Sequence, residues 1–96
     1  MKPFTIFQID FFNFVKKMNK VLDENQTSWK NNHSIIGKKK SLEGFILLLN
    51  KISEGKINYE GPGASEKTEC LFWLLDKLLG EMDGLMKEQD KNFPVL

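Results

Sequence analysis

The sequence predicts an all-α fold, a small bundle of three or four helices. Apolar residues recur with helical spacing in three separate segments, and capping or glycine signals bound those segments. The chain has 96 residues, of which 41% are hydrophobic and 28% charged, which suits one modest core in a single domain spanning 1–96. Helices are predicted at 6–23, 42–53 and 66–89.

The first helix has the clearest start signal. Thr5 and Gln8 stand at the spacing of a capping box, and Phe4 and Ile9 at that of a hydrophobic staple, so the helix should begin at Ile6. A stripe at helical spacing, widened by Val15 and Leu22, predicts its core face: Phe7, Phe11, Phe14, Met18 and Val21. Ile9 and Phe12 lie off this stripe. The first half of the helix therefore needs cover on more than one side, from the bundle or from a partner.

Residues 24–40 are polar and lack sustained periodicity, which predicts a long connection with one short turn near Trp29. Such long connections are often functional or disordered. Ser41 is the predicted N-cap of the second helix, and Gly55 is its predicted C-terminal stop. The predicted core side chains of this helix are Phe45, Leu48, Leu49 and Ile52.

A brief extended stretch at 57–59 and a turn at 61–63 should precede the third helix, with Ser65 as its N-cap. Its apolar stripe comprises Leu71, Leu74, Leu75, Leu78, Met82, Leu85 and Met86. Gly80 and Gly84 each disfavour helix by about 1 kcal/mol relative to Ala. Because the stripe keeps its phase across both glycines, one kinked or locally frayed helix is favoured over two.

The reactive side chains are few. His33 is the only histidine and lies in the predicted connection, where an exposed residue without a role is favoured over a base or metal ligand. Cys70 is the only cysteine, and its place beside the Leu71 stripe predicts burial. We therefore expect no enzyme activity, cofactor or metal. A lone cysteine and the absence of a convincing signal peptide suggest a cytoplasmic protein, and no segment is apolar enough to insert into a membrane.

All 14 basic residues are lysine. Lys38, Lys39 and Lys40 form the one basic run. Together with Lys16, Lys17 and Lys20 they could form a patch that attracts phosphates or an acidic protein surface, with Trp29 stacking nearby. A nucleic-acid-binding or transcriptional accessory protein is thus one candidate function. The absence of arginine and of a recognition-helix pattern favours the alternative, a solvated segment before a helix.

Aromatic residues are abundant, with eight Phe and two Trp, and six of these ten precede residue 30. Core packing is the favoured explanation for most of them, while an exposed aromatic cluster would make a strong protein-contact surface. The residues predicted to contact a partner are Phe12, Trp29, Lys30, His33, Lys38, Lys39 and Lys40.

Two segments, LLNKISEGKI and LDKLLGEMDGL, resemble the helix pairs of small colicin-type immunity proteins, helical bacterial proteins that neutralise toxins. The resemblance implies a cognate toxin as partner and inhibition by covering the toxin's active surface. Together with the shortage of reactive groups, it favours a catalytically inert protein-binding module. The nucleic-acid-binding protein is the alternative, and the oligomeric state stays open.

Overall fold

A computed structural model describes residues 4–56 and 63–89 of the chain. Within these ranges there are four helices and no strand: α1 (Ile6–Glu24), α2 (Gln26–Trp29), α3 (His33–Ser53) and α4 (Ala64–Gln89). The predicted all-α bundle is confirmed. The predicted extended stretch at 57–59 and most of the predicted turn at 61–63 lie outside the described residues. None of the described helices is long and apolar enough to cross a membrane.

The capping box at the start of α1 is confirmed. The Gln8 backbone N–H donates to Thr5 Oγ1 at 3.1 Å, and the Thr5 backbone N–H donates to Gln8 Oε1 at 2.9 Å. The helix begins at Ile6 as predicted. Phe4, just before the cap, is buried, whereas Ile9, its predicted staple partner, stays exposed.

The predicted connection at 24–40 is wrong, because most of it is helical. The helix predicted at 42–53 begins nine residues earlier, at His33, and its N-cap is Asn32 rather than Ser41. Asn32 Oδ1 accepts from the backbone N–H groups of Ser34 at 3.1 Å and Ile35 at 3.2 Å. Ile35 and Leu42 are completely buried and the side chain between them at the same helical phase, Lys39, is buried too. The apolar periodicity of this segment is interrupted in the sequence because Lys39 occupies a core position.

The turn between α1 and α3 is stabilised by two side chains that bond to the end of α1. Trp29 Nε1 donates to the Leu22 carbonyl at 2.9 Å, and Asn25 Nδ2 donates to the Val21 carbonyl at 2.8 Å. These carbonyls belong to the last turn of α1 and also accept from the Asn25 backbone N–H, so each side chain supplies a second donor at the helix end. Trp29 thereby satisfies its indole N–H while its ring is buried.

The three long helices run up, down and up. Asp23 near the end of α1 contacts Lys39 near the start of α3, and Asn32 before α3 bonds to Gln89 at the end of α4. Helix α3 is therefore antiparallel to both α1 and α4, which are parallel to each other. Both pack mainly on α3, and far less on one another.

The core face of α1 differs from the predicted stripe. The structure buries Phe12, Val15, Met18 and Leu22, and leaves Phe7 and Phe14 exposed. Helix α3 packs against the face of α1 that carries Val15 and Leu22. Phe7 and Phe14 therefore lie on the flank of that buried face. Phe12, which lies off the predicted stripe, is among the buried residues, so the bundle covers it.

The other two stripes are partly confirmed. In α3, Leu49 and Ile52 are buried, and Phe45 and Leu48 are half-buried. In α4 the buried face is shifted to Thr68, Phe72, Leu75, Leu79, Met82 and Met86. Leu74 is exposed and Leu71, Leu78 and Leu85 pack at the margin. Cys70 is exposed, which corrects its predicted burial.

Helix α4 is continuous through Gly80 and Gly84, as favoured from the sequence, although it begins at Ala64, so Ser65 lies inside it rather than capping it. A Cβ added at either glycine would meet nothing within 4 Å. The fold of the isolated chain gives no steric reason for glycine at these positions. By contrast, Gly55 has φ of +73° after the end of α3, which is the conformation that favours glycine.

We therefore predict that Gly80→Ala and Gly84→Ala each stabilise the chain by about 0.5–1 kcal/mol, because alanine reduces the entropy lost on helix formation. Urea unfolding followed by circular dichroism measures the effect. Gly55→Ala is the matched control and should destabilise the chain by about 1 kcal/mol. Loss of stability in both α4 variants would contradict the open space described around them.

Candidate functional site

The predicted basic patch at Lys38, Lys39 and Lys40 does not form. Consecutive residues of an α-helix point about 100° apart, so the three lysines leave α3 in different directions. Lys38 pairs with Glu81 of α4, Lys39 is buried towards α1, and Lys40 is exposed. The structure therefore offers no concentrated basic surface at this run.

Lys39 is held by two carboxylates at the edge of the core. Its Nζ lies 2.8 Å from Asp23 Oδ1 and 2.8 Å from Glu43 Oε1, while its side chain is only 4% exposed. Both carboxylates keep more than half of their side-chain surface in solvent. The lysine stem thus packs as an apolar side chain and its charge reaches the rim of the bundle. Lys39 is a structural residue, not an accessible contact.

The Lys38–Glu81 pair joins α3 to α4 on the protein surface. The hydrogen bond from Lys38 and the charge of the same ammonium group lower the pKa of the Glu81 carboxyl below its ordinary value. Lys38 therefore has an intramolecular partner, and its charge is partly neutralised.

Two of the predicted partner contacts are aromatic rings that the structure buries. Trp29 anchors the turn after α1, and Phe12 packs edge-on against Phe4 with ring centroids 6.2 Å apart. Their burial removes both rings from the accessible surface. Lys30 and His33 are exposed near the same end of the bundle.

His33 lines a polar cleft of about 370 Å³ where α2, the start of α3 and the end of α4 meet. The other lining residues are Thr27, Ser28, Asn31, Asn32 and Gln89. The Asn32 side chain is already engaged, because its Oδ1 caps α3 and its Nδ2 donates to Gln89 Oε1 at 3.1 Å. His33 is the only ionisable residue in this lining. Across 4–56 and 63–89, no three His, Cys, Asp or Glu residues are arranged to hold a metal ion.

The second depression is the aromatic groove, defined by Phe7, Gln8, Phe11, Phe72, Trp73 and Asp76. It has a volume of about 300 Å³ and lies between α1 and α4. Its floor is a cluster of rings, because Phe72 packs against Phe4 at 5.2 Å and against Phe11 at 6.2 Å between centroids. The floor is thus continuous with the core.

The walls of the aromatic groove are exposed to solvent. Phe7 is 87% exposed and Trp73 is 64% exposed, and next to the groove Phe14, which stacks on Phe11, is 38% exposed. A Phe or Trp side chain has roughly 150–250 Å² of surface, so these three rings expose on the order of 400 Å². That area matches the largest exposed apolar patches of ordinary monomers, and such patches often bind partners.

The charges around the aromatic groove are sparse. Asp76 is the only ionised side chain in its lining, and it forms no ion pair with any residue of the described ranges. Lys77 lies beside the groove with its Nζ 6.0 Å from the Trp73 ring centroid. The groove therefore combines apolar walls with a single carboxylate, a suitable surface for an apolar ligand carrying one positive charge.

Sequence reasoning did not find this site, although one of its signals was visible. The spacing of Phe7, Phe11 and Phe14 predicts an apolar stripe, but it predicts that this stripe is a core face. The excess of apolar residues around the first half of α1 indicated that some of them lacked cover within the chain. Trp73 had no such signal, because its position depends on which face of α4 meets α1.

No known protein family, curated protein or solved structure matches this chain. The site must therefore be interpreted from its own geometry.

We predict that Lys39→Met changes the free energy of unfolding by at most about 1 kcal/mol. Methionine replaces the buried stem, and the two carboxylates that lose the lysine charge remain solvated. Lys39→Glu should destabilise the chain by more than about 3 kcal/mol, because it places a third carboxylate beside Asp23 and Glu43. Urea unfolding of both variants tests this. Equal losses would show that the ion pairs, rather than the stem, stabilise this position.

A second prediction concerns pH. Because the folded-state pKa of Glu81 is lowered, its contribution to stability is present above the unfolded-state pKa and is lost as pH falls through the folded-state pKa. Wild type should therefore exceed Glu81→Gln in stability at pH 7, and the difference should shrink below about pH 4. Urea midpoints measured from pH 7 to pH 2 provide the test, with Glu69→Gln as the control for removing one exposed acid of α4. A difference that stays constant to the lowest pH would contradict the pairing.

Proposed function

We propose that this protein is a catalytically inert protein-binding module that uses the aromatic groove as its main contact surface. The observation that carries the proposal is the exposure of Phe7 and Trp73 on either side of one depression. Exposed aromatic side chains concentrate binding energy when a partner removes them from water. A standard interface buries about 800 Å² on each partner, so the exposed rings would form roughly the central half of one.

We further propose that binding inhibits the partner by covering its surface. Occlusion requires shape and apolar area but no reactive side chains, which suits a groove lined by rings, one amide and one carboxylate. The resemblance of residues 48–57 and 75–85 to colicin-type immunity proteins supports a bacterial toxin as the covered partner. The contact surface in this proposal differs from the predicted one, since it lies at the groove rather than around Trp29 and Lys38–Lys40.

The nucleic-acid-binding alternative loses its main support. It depended on a patch at Lys38–Lys40, and only Lys40 of these three is both exposed and without an ion pair among the described residues. Lys16, Lys17 and Lys20 on α1 are exposed and are the basic residues that still favour it.

The proposed function predicts a partner whose binding depends on Phe7 and Trp73. Tagged wild-type protein is used to capture proteins from cells that naturally make it, in parallel with Phe7→Ser and Trp73→Ala variants. A partner held by wild type should be lost from both variants, since removing a central aromatic contact typically costs 2 kcal/mol or more in binding, or about thirtyfold.

Leu47→Ser is the matched control, because Leu47 is also an exposed apolar residue but lies on α3. It should retain the partner. Circular dichroism of all variants should show unchanged helix content. If Leu47→Ser releases the partner as completely as Trp73→Ala, the captured protein binds exposed apolar surface without selectivity and the proposal is wrong.

A further inference from the structure

The aromatic groove has the shape of an empty helix position. Helices α1 and α4 run parallel on two sides of α3, so their flanks away from α3 face a space that a further helix would fill in a four-helix bundle. Both flanks carry side chains at helical spacing. On α1, Phe7, Phe11 and Phe14 lie within about 60° of one another around the helix axis.

The exposed side of α4 that carries Trp73 also carries two glycines, beyond the lining of the groove. Gly80 and Gly84 lie within about 20° of Trp73 around the axis of α4, and the space around each is open. Glycine at such positions allows another backbone to approach closely. These residues disfavour the helix in the free chain, so a neighbour on this flank supplies the steric reason for glycine that the isolated fold lacks.

We propose that the occupant of the aromatic groove is an amphipathic α-helix of another protein, with large apolar side chains facing α1 and α4 and a basic side chain opposite Asp76. This inference rests on the proposed function and identifies the element that binds. Docked helices present anchors at i, i+3, i+4 and i+7, which match the spacing of the rings on α1. The charge follows from Asp76, the only ionised lining residue, which has no ion pair in the described ranges.

A second copy of the chain fits this surface less well. A symmetric dimer places the same patch of each copy against the other, so two concave grooves would face each other and leave unfilled space. An anionic membrane surface also fits less well, because Asp76 would be held among lipid headgroups of the same charge.

The probe is a hydrocarbon-stapled amphipathic peptide of about 18 residues, roughly the length of α1, with Leu at i, i+3, i+4 and i+7 and Lys on the flanks. Its matched partner carries Glu in place of Lys, and a third peptide has the same composition in a non-periodic order. Binding to the full chain is measured by calorimetry, and the contact site by changes in backbone amide NMR signals.

The Lys peptide is expected to bind at least threefold more tightly than the Glu peptide and to shift the signals of Phe11, Trp73 and Gly80 but not of Leu47. Asp76→Lys should reverse the preference between the two peptides. Combined Gly80→Ala and Gly84→Ala should weaken binding about tenfold, by placing methyl groups in the contact, while raising the stability of the free chain.

Four results would overturn the inference: no saturable binding of the Lys peptide, equal affinity for the Lys and Glu peptides, tighter binding of a proline-rich peptide, or signal changes away from the groove. A dimer in light scattering that dissociates in Trp73→Ala would assign the groove to a second copy. Trp73-dependent binding to vesicles of phosphatidylcholine and phosphatidylserine would assign it to a membrane.

The inference and the proposed function fail in different ways. If cellular capture depends on Phe7 and Trp73 but the helical peptides do not bind the groove, the helix is wrong and the proposed function stands. If the captured partner is insensitive to both residues, the proposed function fails, whatever the peptides do.

Discussion

The packing of α1 and α4 on two sides of α3 decides which side chains of this protein are buried. Lys38 and Lys39 show the geometry, because adjacent residues of α3 reach α4 and α1 respectively. With α3 between them, α1 turns Val15 and Leu22 inward and α4 turns Leu75 and Leu79 inward. The rings on the remaining flanks of α1 and α4 are then too far from α3 to be covered by it.

This constraint explains why the aromatic residues divide into two groups. Phe4, Phe12 and Phe72 close the end of the core where the first turns of α1 and the early part of α4 meet. Phe7 and Trp73 lie on the outer sides of the same helices. Phe7 comes three residues after Phe4, and Trp73 directly follows Phe72. The aromatic groove is therefore a direct continuation of the core, with packed rings as its floor.

The sequence was sufficient for the fold class, the start of α1 and the continuity of α4, because these features depend on local chemistry. The Thr5–Gln8 capping box is a contact between near neighbours, and the spacing of leucines in α4 persists across its two glycines. The N-terminal half of α3 could not be predicted by counting apolar residues. Lys39 occupies a core position there, and its burial depends on Asp23, which is distant in sequence.

The candidate site was less predictable than the fold for the same reason. Which flank of an apolar helix remains uncovered depends on the number and arrangement of its neighbours, and Phe7 and Phe12 are equally apolar in the sequence. The polar residues between α1 and α3 were also ambiguous. Asn25 and Asn32 suggest a surface loop by composition, yet their side chains cap helix ends, while Trp29 is buried beneath them.

The exposed rings and the two glycines of α4 are connected by one argument about free energy. Leaving Phe7 and Trp73 in water forgoes the favourable transfer of their surfaces, and Gly80 and Gly84 weaken the helix that carries Trp73. Neither feature stabilises the free chain. Both become favourable when a neighbour covers the rings and approaches the glycine backbone, since the rings are then desolvated and the missing Cβ atoms leave room for contact. The exposed rings and the two glycines, which are unfavourable for folding, thus lie on the same side of the molecule, the side that α3 does not cover.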